Sequence, residues 1–97
     1  MRKVTEQIAT AFINGESKTV GNTTTDGSAV FLHGNKIAEK RNNTISFTLA
    51  GWNTVTTRER LNGLLNALGS SAGFNQKKGE PYFNGKLINA DKWVDLA

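Results

Sequence analysis

The stretch from Ile45 to Leu68, ISFTLAGWNTVTTRERLNGLLNAL, constrains the fold most, because an alternating run passes directly into a leucine-striped one. Ile45, Phe47 and Leu49 alternate with Ser46 and Thr48, the period-two pattern of a strand with one face on a core and the other open. Gly51 interrupts the pattern before Trp52, where a glycine marks a bulge or a close backbone approach. Thr56 and Glu59 have the spacing of a capping box, which predicts a helix from Thr57. Leu61, Leu64, Leu65 and Leu68 fall at i, i+3, i+4 and i+7 and make one apolar stripe, with Gly69 placed for a left-handed C-terminal residue. Asn62 and Gly63 weaken such a helix, the glycine by about 1 kcal/mol against alanine. Packing of the leucine stripe on the sheet has to hold it.

Around this unit the remaining segments are short. Lys3 to Asn14 reads as an amphipathic helix, with Val4, Ile8, Ala11 and Phe12 on one face and Gly15 to end it. Glu16 to Ser28 is polar and threonine-rich, with a turn at Thr25-Asp26-Gly27, and reads as a mobile surface connection. Ala29 to Leu32 and Lys36 to Lys40 flank His33-Gly34-Asn35 as a hairpin, and Arg41-Asn42-Asn43-Thr44 turns into the strand at Ile45. Ala72 to Lys78, a turn at Gly79-Glu80-Pro81, Tyr82-Phe83, and Lys86 to Ile88 after Asn84-Gly85 make a second meander, Asn84-Gly85 demanding a type I′ turn. Pro81 argues for an edge position there, because it cannot donate to a ladder. Lys92 to Leu96 closes the core as a last strand or turn. The expectation is one α+β domain over residues 1–97, two helices on antiparallel meanders in the approximate order α-βββ-α-βββ.

Composition narrows the chemistry. A chain of 97 residues has room for one modest core. It contains no cysteine, so disulfides, thiolate metal sites and cysteine nucleophiles are excluded. No apolar run approaches the roughly 20 residues of a membrane span, and the start lacks the apolar segment of a signal peptide, so the expectation is a cytoplasmic protein with no membrane partner. No cofactor or metal motif is present, His33 is the only histidine, and no catalytic residue is assigned. A lone histidine in a hairpin turn is ordinarily structural or exposed, although a small hydrolase using His33 is a conceivable third reading.

The net charge of +4 is unevenly placed: residues 31 to 60 carry five basic and two acidic groups, whereas residues 1 to 30 carry three of each. The sharpest candidate is Thr56, Thr57, Arg58 and Arg60 at a helix N-terminus, where free amides and the dipole attract anions. Two arginines there oppose the dipole, as a bound phosphate or carboxylate would permit. The plainer reading makes Thr56 a cap and leaves both arginines solvated or paired with Glu59. A wider basic surface would join Lys36, Lys40 and Arg41 to that pair, with Lys77 and Lys78 from the second meander and Trp52, Tyr82 and Trp93 as stacking platforms. Single-stranded nucleic acid would suit it, although most aromatic residues in so small a domain belong to the core.

At Thr25-Asp26-Gly27, Leu32 to Ala38, Gly51 to Thr54, Thr56 to Asn62 and Asn84-Gly85-Lys86 the chain resembles small bacteriophage-encoded proteins of uncharacterised function. The resemblance implies an infected bacterial cytoplasm, where many small accessory proteins bind and redirect a host protein, interference with host defence being one version. It assigns no catalytic residues. The expectation is a non-enzymatic binder of a host protein, the alternative a nucleic-acid-binding protein using the basic surface around residues 36–60.

Overall fold

The computed structural model describes residues 3–41 and 44–96, and the expected turn at Asn42-Asn43 lies outside them. In chain order the elements are α1 (Lys3–Asn14), β1 (Lys18–Val20), β2 (Thr23–Thr25), β3 (Ala29–Leu32), β4 (Asn35–Arg41), β5 (Thr44–Thr48), α2 (Val55–Ala67), β6 (Phe74–Lys77), β7 (Glu80–Phe83), β8 (Lys86–Leu87) and β9 (Trp93–Asp95). The fold is α+β. One antiparallel sheet has the order β1-β2-β3-β4-β5-β9 and a smaller one has the order β6-β7-β8.

The helices follow from their apolar stripes. α1 buries Thr5, Ile8, Ala9, Ala11 and Phe12 and packs on β1, β2, β3 and α2. It ends at Gly15, with Gly15 N–H donating to Phe12 and Glu16 N–H to Ala11, the paired bonds of a Schellman cap. α2 buries Leu61, Leu64 and Leu65 against α1 and β4, so truncating Leu64 to alanine costs about 2–5 kcal/mol. Its C-terminus is capped the same way, Ser70 N–H reaching Leu65 and Gly69 N–H reaching Asn66. Asn62 is no defect: its amide donates to the Phe74 carbonyl at 2.9 Å and accepts from the Phe74 N–H at 2.7 Å, docking β6 on the helix.

The structure corrects several expectations. The polar stretch after α1 holds a hairpin, β1 paired with β2, and Thr23 and Thr25 are buried. Threonine suits a pleated surface, and the hydroxyls find partners: Thr25 Oγ1 donates to the Ala29 carbonyl at 2.6 Å. On β5, Phe47 is buried as expected, but so are Ser46 and Thr48 on the opposite face. Arg41 on β4 and Trp93 on β9 flank β5 and touch, the guanidinium 4.5 Å from the ring centre, so the pair lies across β5 and covers that face. Ser46 is satisfied there by Asp95, and Thr48 reaches toward the Ala90 carbonyl.

Gly51 belongs to a turn and not to a bulge. Ala50 and Gly51 have φ of 55° and 83°, and Trp52 N–H returns to the Leu49 carbonyl at 2.8 Å, the type I′ pattern. The bulge lies instead in β4. Val30 pairs with Ala38 but Phe31 pairs with Lys36, which leaves Ile37 as the extra residue. Ile37 and Ala38 are consequently both buried, where strict alternation would turn one of them outward.

α2 starts earlier than the capping-box spacing predicts. Thr54 is the N-cap, its hydroxyl accepting from Thr57 N–H at 3.1 Å, and Glu59 turns away from the helix start to Thr5 and Arg60. Asn84-Gly85 forms the expected turn with φ of 53° and 85°. β7, however, is the central strand of its sheet, and Pro81 stands in it. Pro81 faces the end of β8, where its carbonyl still accepts from Ile88 and only the return bond from the missing N–H is lost.

Candidate functional site

The bulge at Ile37, the end of β5 and the start of α2 together shape a surface cleft of about 360 Å³. Leu32, Ile37 and Leu49, all nearly inaccessible, make its floor. His33 and Asn35 from the β3–β4 turn stand on one side, and Thr54, Thr56 and Thr57 at the α2 N-terminus on the other. Trp52 stands at the mouth with 58% of its surface exposed, and Val55, three residues on at the start of α2, is 66% exposed. Indole rings are ordinarily buried in so small a domain, and this one stands exposed beside an apolar cleft.

The rim is held in place. Thr54 and Thr57 share a hydroxyl–hydroxyl bond of 2.8 Å besides the cap. Asn53 accepts from the Arg58 guanidinium and donates to the Gly79 carbonyl at 3.2 Å, clasping the Lys78-Gly79 turn of the small sheet to the segment next to Trp52. His33 lies 3.4 Å from the Asn22 amide.

Of the candidate residues, Trp52 and Thr57 line the cleft, Arg58 bonds Asn53 between the lining residues Trp52 and Thr54, and Lys78 precedes the Gly79 whose carbonyl Asn53 holds. Thr57 is buried, its side chain committed to the cap. Arg60 is not a solvated helix-terminal arginine: it is 4% exposed. Its guanidinium donates to Thr23 at 2.9 Å, to Thr5 at 3.0 Å, to Glu59 and to Asn22, tying α1, the β1–β2 hairpin and α2 together. Lys40 donates to the Phe12 carbonyl at 2.8 Å and sits over the Phe12 ring, which satisfies the C-terminus of α1. Arg41 is stacked on Trp93 and paired with Glu39, and Lys36 pairs with Glu39 at 3.0 Å. Lys77 lies over the Tyr82 ring, 5.4 Å from its centre. The expected basic surface is thus divided, with much of its charge turned to internal contacts.

The cleft floor escaped the sequence reading, because Leu32, Ile37 and Leu49 look like ordinary core positions. The Thr54 cap had a signal, a threonine three residues before another, which the run Thr54-Val55-Thr56-Thr57 made ambiguous. Asn53 had none. Among the described residues no group of His, Asp or Glu is placed to hold a metal ion, and no helix is long and apolar enough to cross a membrane.

Neither the curated proteins nor the solved structures contain a match to this chain. The Kyanoviridae Gp96 protein family model matches residues 1–96. The chain therefore belongs to the Kyanoviridae Gp96 family of phage proteins.

Proposed function

We propose that this phage protein is a non-enzymatic accessory protein that binds a host protein in the cytoplasm of the infected bacterium, through the surface around Trp52. The observation that carries the proposal is the exposed indole lining an apolar cleft. Aromatic anchors next to a pocket hold most of the binding energy in protein interfaces, and losing one costs about 2 kcal/mol or more, roughly 30-fold in affinity.

The test is capture by the tagged protein from infected cells, at low and near-physiological salt, beside Trp52→Ser and an Asn66→Ala control on an exposed helix position. One host protein retained by wild type and control and lost with Trp52→Ser is the expected result. A partner bound undiminished by Trp52→Ser, or none at all, would overturn the proposal.

The alternative, nucleic-acid binding, has a narrower base than the sequence suggested, since Arg60 is inside and Lys40 and Arg41 are tied down. It predicts binding to DNA or RNA oligonucleotides that falls linearly on a log–log plot against salt and weakens in Arg58→Ala/Lys78→Ala. Salt-insensitive or absent binding would remove it.

A further inference from the structure

We infer that the cleft receives one large uncharged apolar side chain from an acidic peptide segment, so that the host partner is recognised through a short extended or helical stretch. This deepens the host-protein reading and rests on it for the source of the peptide.

Size and polarity select the kind of occupant. A cleft of about 360 Å³ lies near the lower end of the roughly 300–1,000 Å³ of small-molecule pockets, room for a side chain and its backbone. None of its nine lining residues is Asp, Glu, Lys or Arg. A charged group placed on Leu32, Ile37 and Leu49 would be desolvated without a partner, which is costly. The side chain inserted is therefore neutral and apolar, flanked by the Trp52 ring. Asn35 and Thr56, whose side chains make no hydrogen bond to described residues, stand at the rim for backbone groups of the peptide.

Charge selects what flanks the anchor. The charges around the Asn53 clasp are basic on balance: Arg58, with one N–H donor on Asn53, and Lys77 and Lys78 ahead of the clasped Gly79, against Glu80 after it, Lys78 having no ion pair among the described residues. With a chain charge of +4, they favour carboxylates on either side of the anchor and disfavour a basic segment. A polynucleotide would need a continuous cationic track, and the cations of β4 and α2 that would extend one are turned inward or paired.

Selection from a random peptide library displayed on yeast tests this, with wild type, Thr56→Tyr to block the mouth from a half-exposed helix position, and Lys78→Glu to reverse charge. Circular dichroism checks that each variant is folded. The expected outcome is enrichment of Leu, Ile, Met, Phe or Trp with Asp or Glu within a few positions. Binding should weaken at least tenfold in Thr56→Tyr, and the acidic preference should fade in Lys78→Glu. No enrichment, a basic or neutral consensus, or peptides indifferent to Thr56→Tyr would overturn it. If Trp52-dependent host capture succeeds while the selection fails, the partner presents a folded surface, and this inference falls while the host-protein proposal stands. Peptides of the expected pattern without any host partner would separate the two in the opposite direction.

Discussion

Replacing Arg60 by alanine separates a buried strut from a ligand-binding arginine. Arg60 is 4% exposed and donates to Thr5 at 3.0 Å and Thr23 at 2.9 Å. Each hydroxyl passes its own proton onward, Thr5 to Glu59 at 2.6 Å and Thr23 to Asn22 at 2.8 Å, so neither is orphaned when the arginine goes. Loss of the two charge-assisted bonds then sits at the low end of its range, about 1.5 kcal/mol each. The Glu59 side chain is 21% exposed, so solvent holds its ion-pair loss to about 1 kcal/mol. Two buried methylenes add about 1.6 kcal/mol, and recovered side-chain entropy returns up to about 2 kcal/mol. The net loss is about 3.6 kcal/mol, of the size measured when one partner of a buried pair is removed. For a domain of this size it lowers Tm by roughly 14–29 °C. Urea unfolding followed by far-ultraviolet circular dichroism measures it, with Arg60→Met expected to recover about 1–2 kcal/mol through its retained stem. A loss below about 1 kcal/mol for Arg60→Ala would refute the strut and return the guanidinium to the surface, free for an anion.

Three further outcomes are expected. Gly27→Ala places a Cβ 2.6 Å from the Gly15 carbonyl carbon and oxygen at a φ of 90° and should cost about 2–5 kcal/mol; an unfolding midpoint close to wild type would show that the α1–β1 corner yields. Thr54→Ala should cost about 1 kcal/mol as loss of the cap and Thr56→Ala less than about 0.5 kcal/mol, and the reverse order in thermal melts would restore the later helix start. The Asp26 carboxylate is held below its ordinary value of 3.8 by the backbone N–H groups of Ser28 and Ala29, and Glu39 below 4.5 by Lys36 and Arg41. Both contribute stability that is complete above those ordinary values and lost as pH falls through the lowered folded ones. The urea midpoint should therefore drop at acid pH less steeply in Asp26→Asn than in wild type, and equal slopes would contradict this.

Periodicity carried the helices and most of the strands. Ile8 and Phe12, or Leu61, Leu64 and Leu65, announce their faces by spacing alone, and Asn84-Gly85 announces its turn by its need for positive φ. What failed to show were features set by distant partners. Thr23 and Thr25 look like loop because a threonine run is polar, yet burial is tolerated once Arg60 and the Ala29 carbonyl meet the hydroxyls. Ser46 and Thr48 alternate correctly with the core residues, and it is the Arg41–Trp93 pair reaching across from neighbouring strands that covers that face. The candidate site was half legible. Trp52 and the α2 N-terminus were placed by local signals, whereas the cleft floor depends on a register shift that no local pattern near Ile37 encodes.

The rim of the cleft is built so that binding need order little. Its β3–β4 side is a two-residue turn with His33 and Gly34 at φ of 52° and 81°, and the Leu49–Trp52 turn repeats that geometry with Ala50 and Gly51. The third side is a helix start fixed by Thr54, and the Asn53 clasp joins it to the Lys78-Gly79 turn. Backbones so constrained have little conformational freedom left to lose on association, and that ordering cost is one reason interfaces of equal area differ in affinity. Asn53→Ala, which alters none of the residues lining the cleft, would loosen Arg58 and the Lys78 turn together. It should lower affinity for a partner several-fold while leaving the floor intact. Calorimetry with the selected peptides should show that loss as a more unfavourable binding entropy; an unchanged affinity would mean that the clasp supports the fold and not the site.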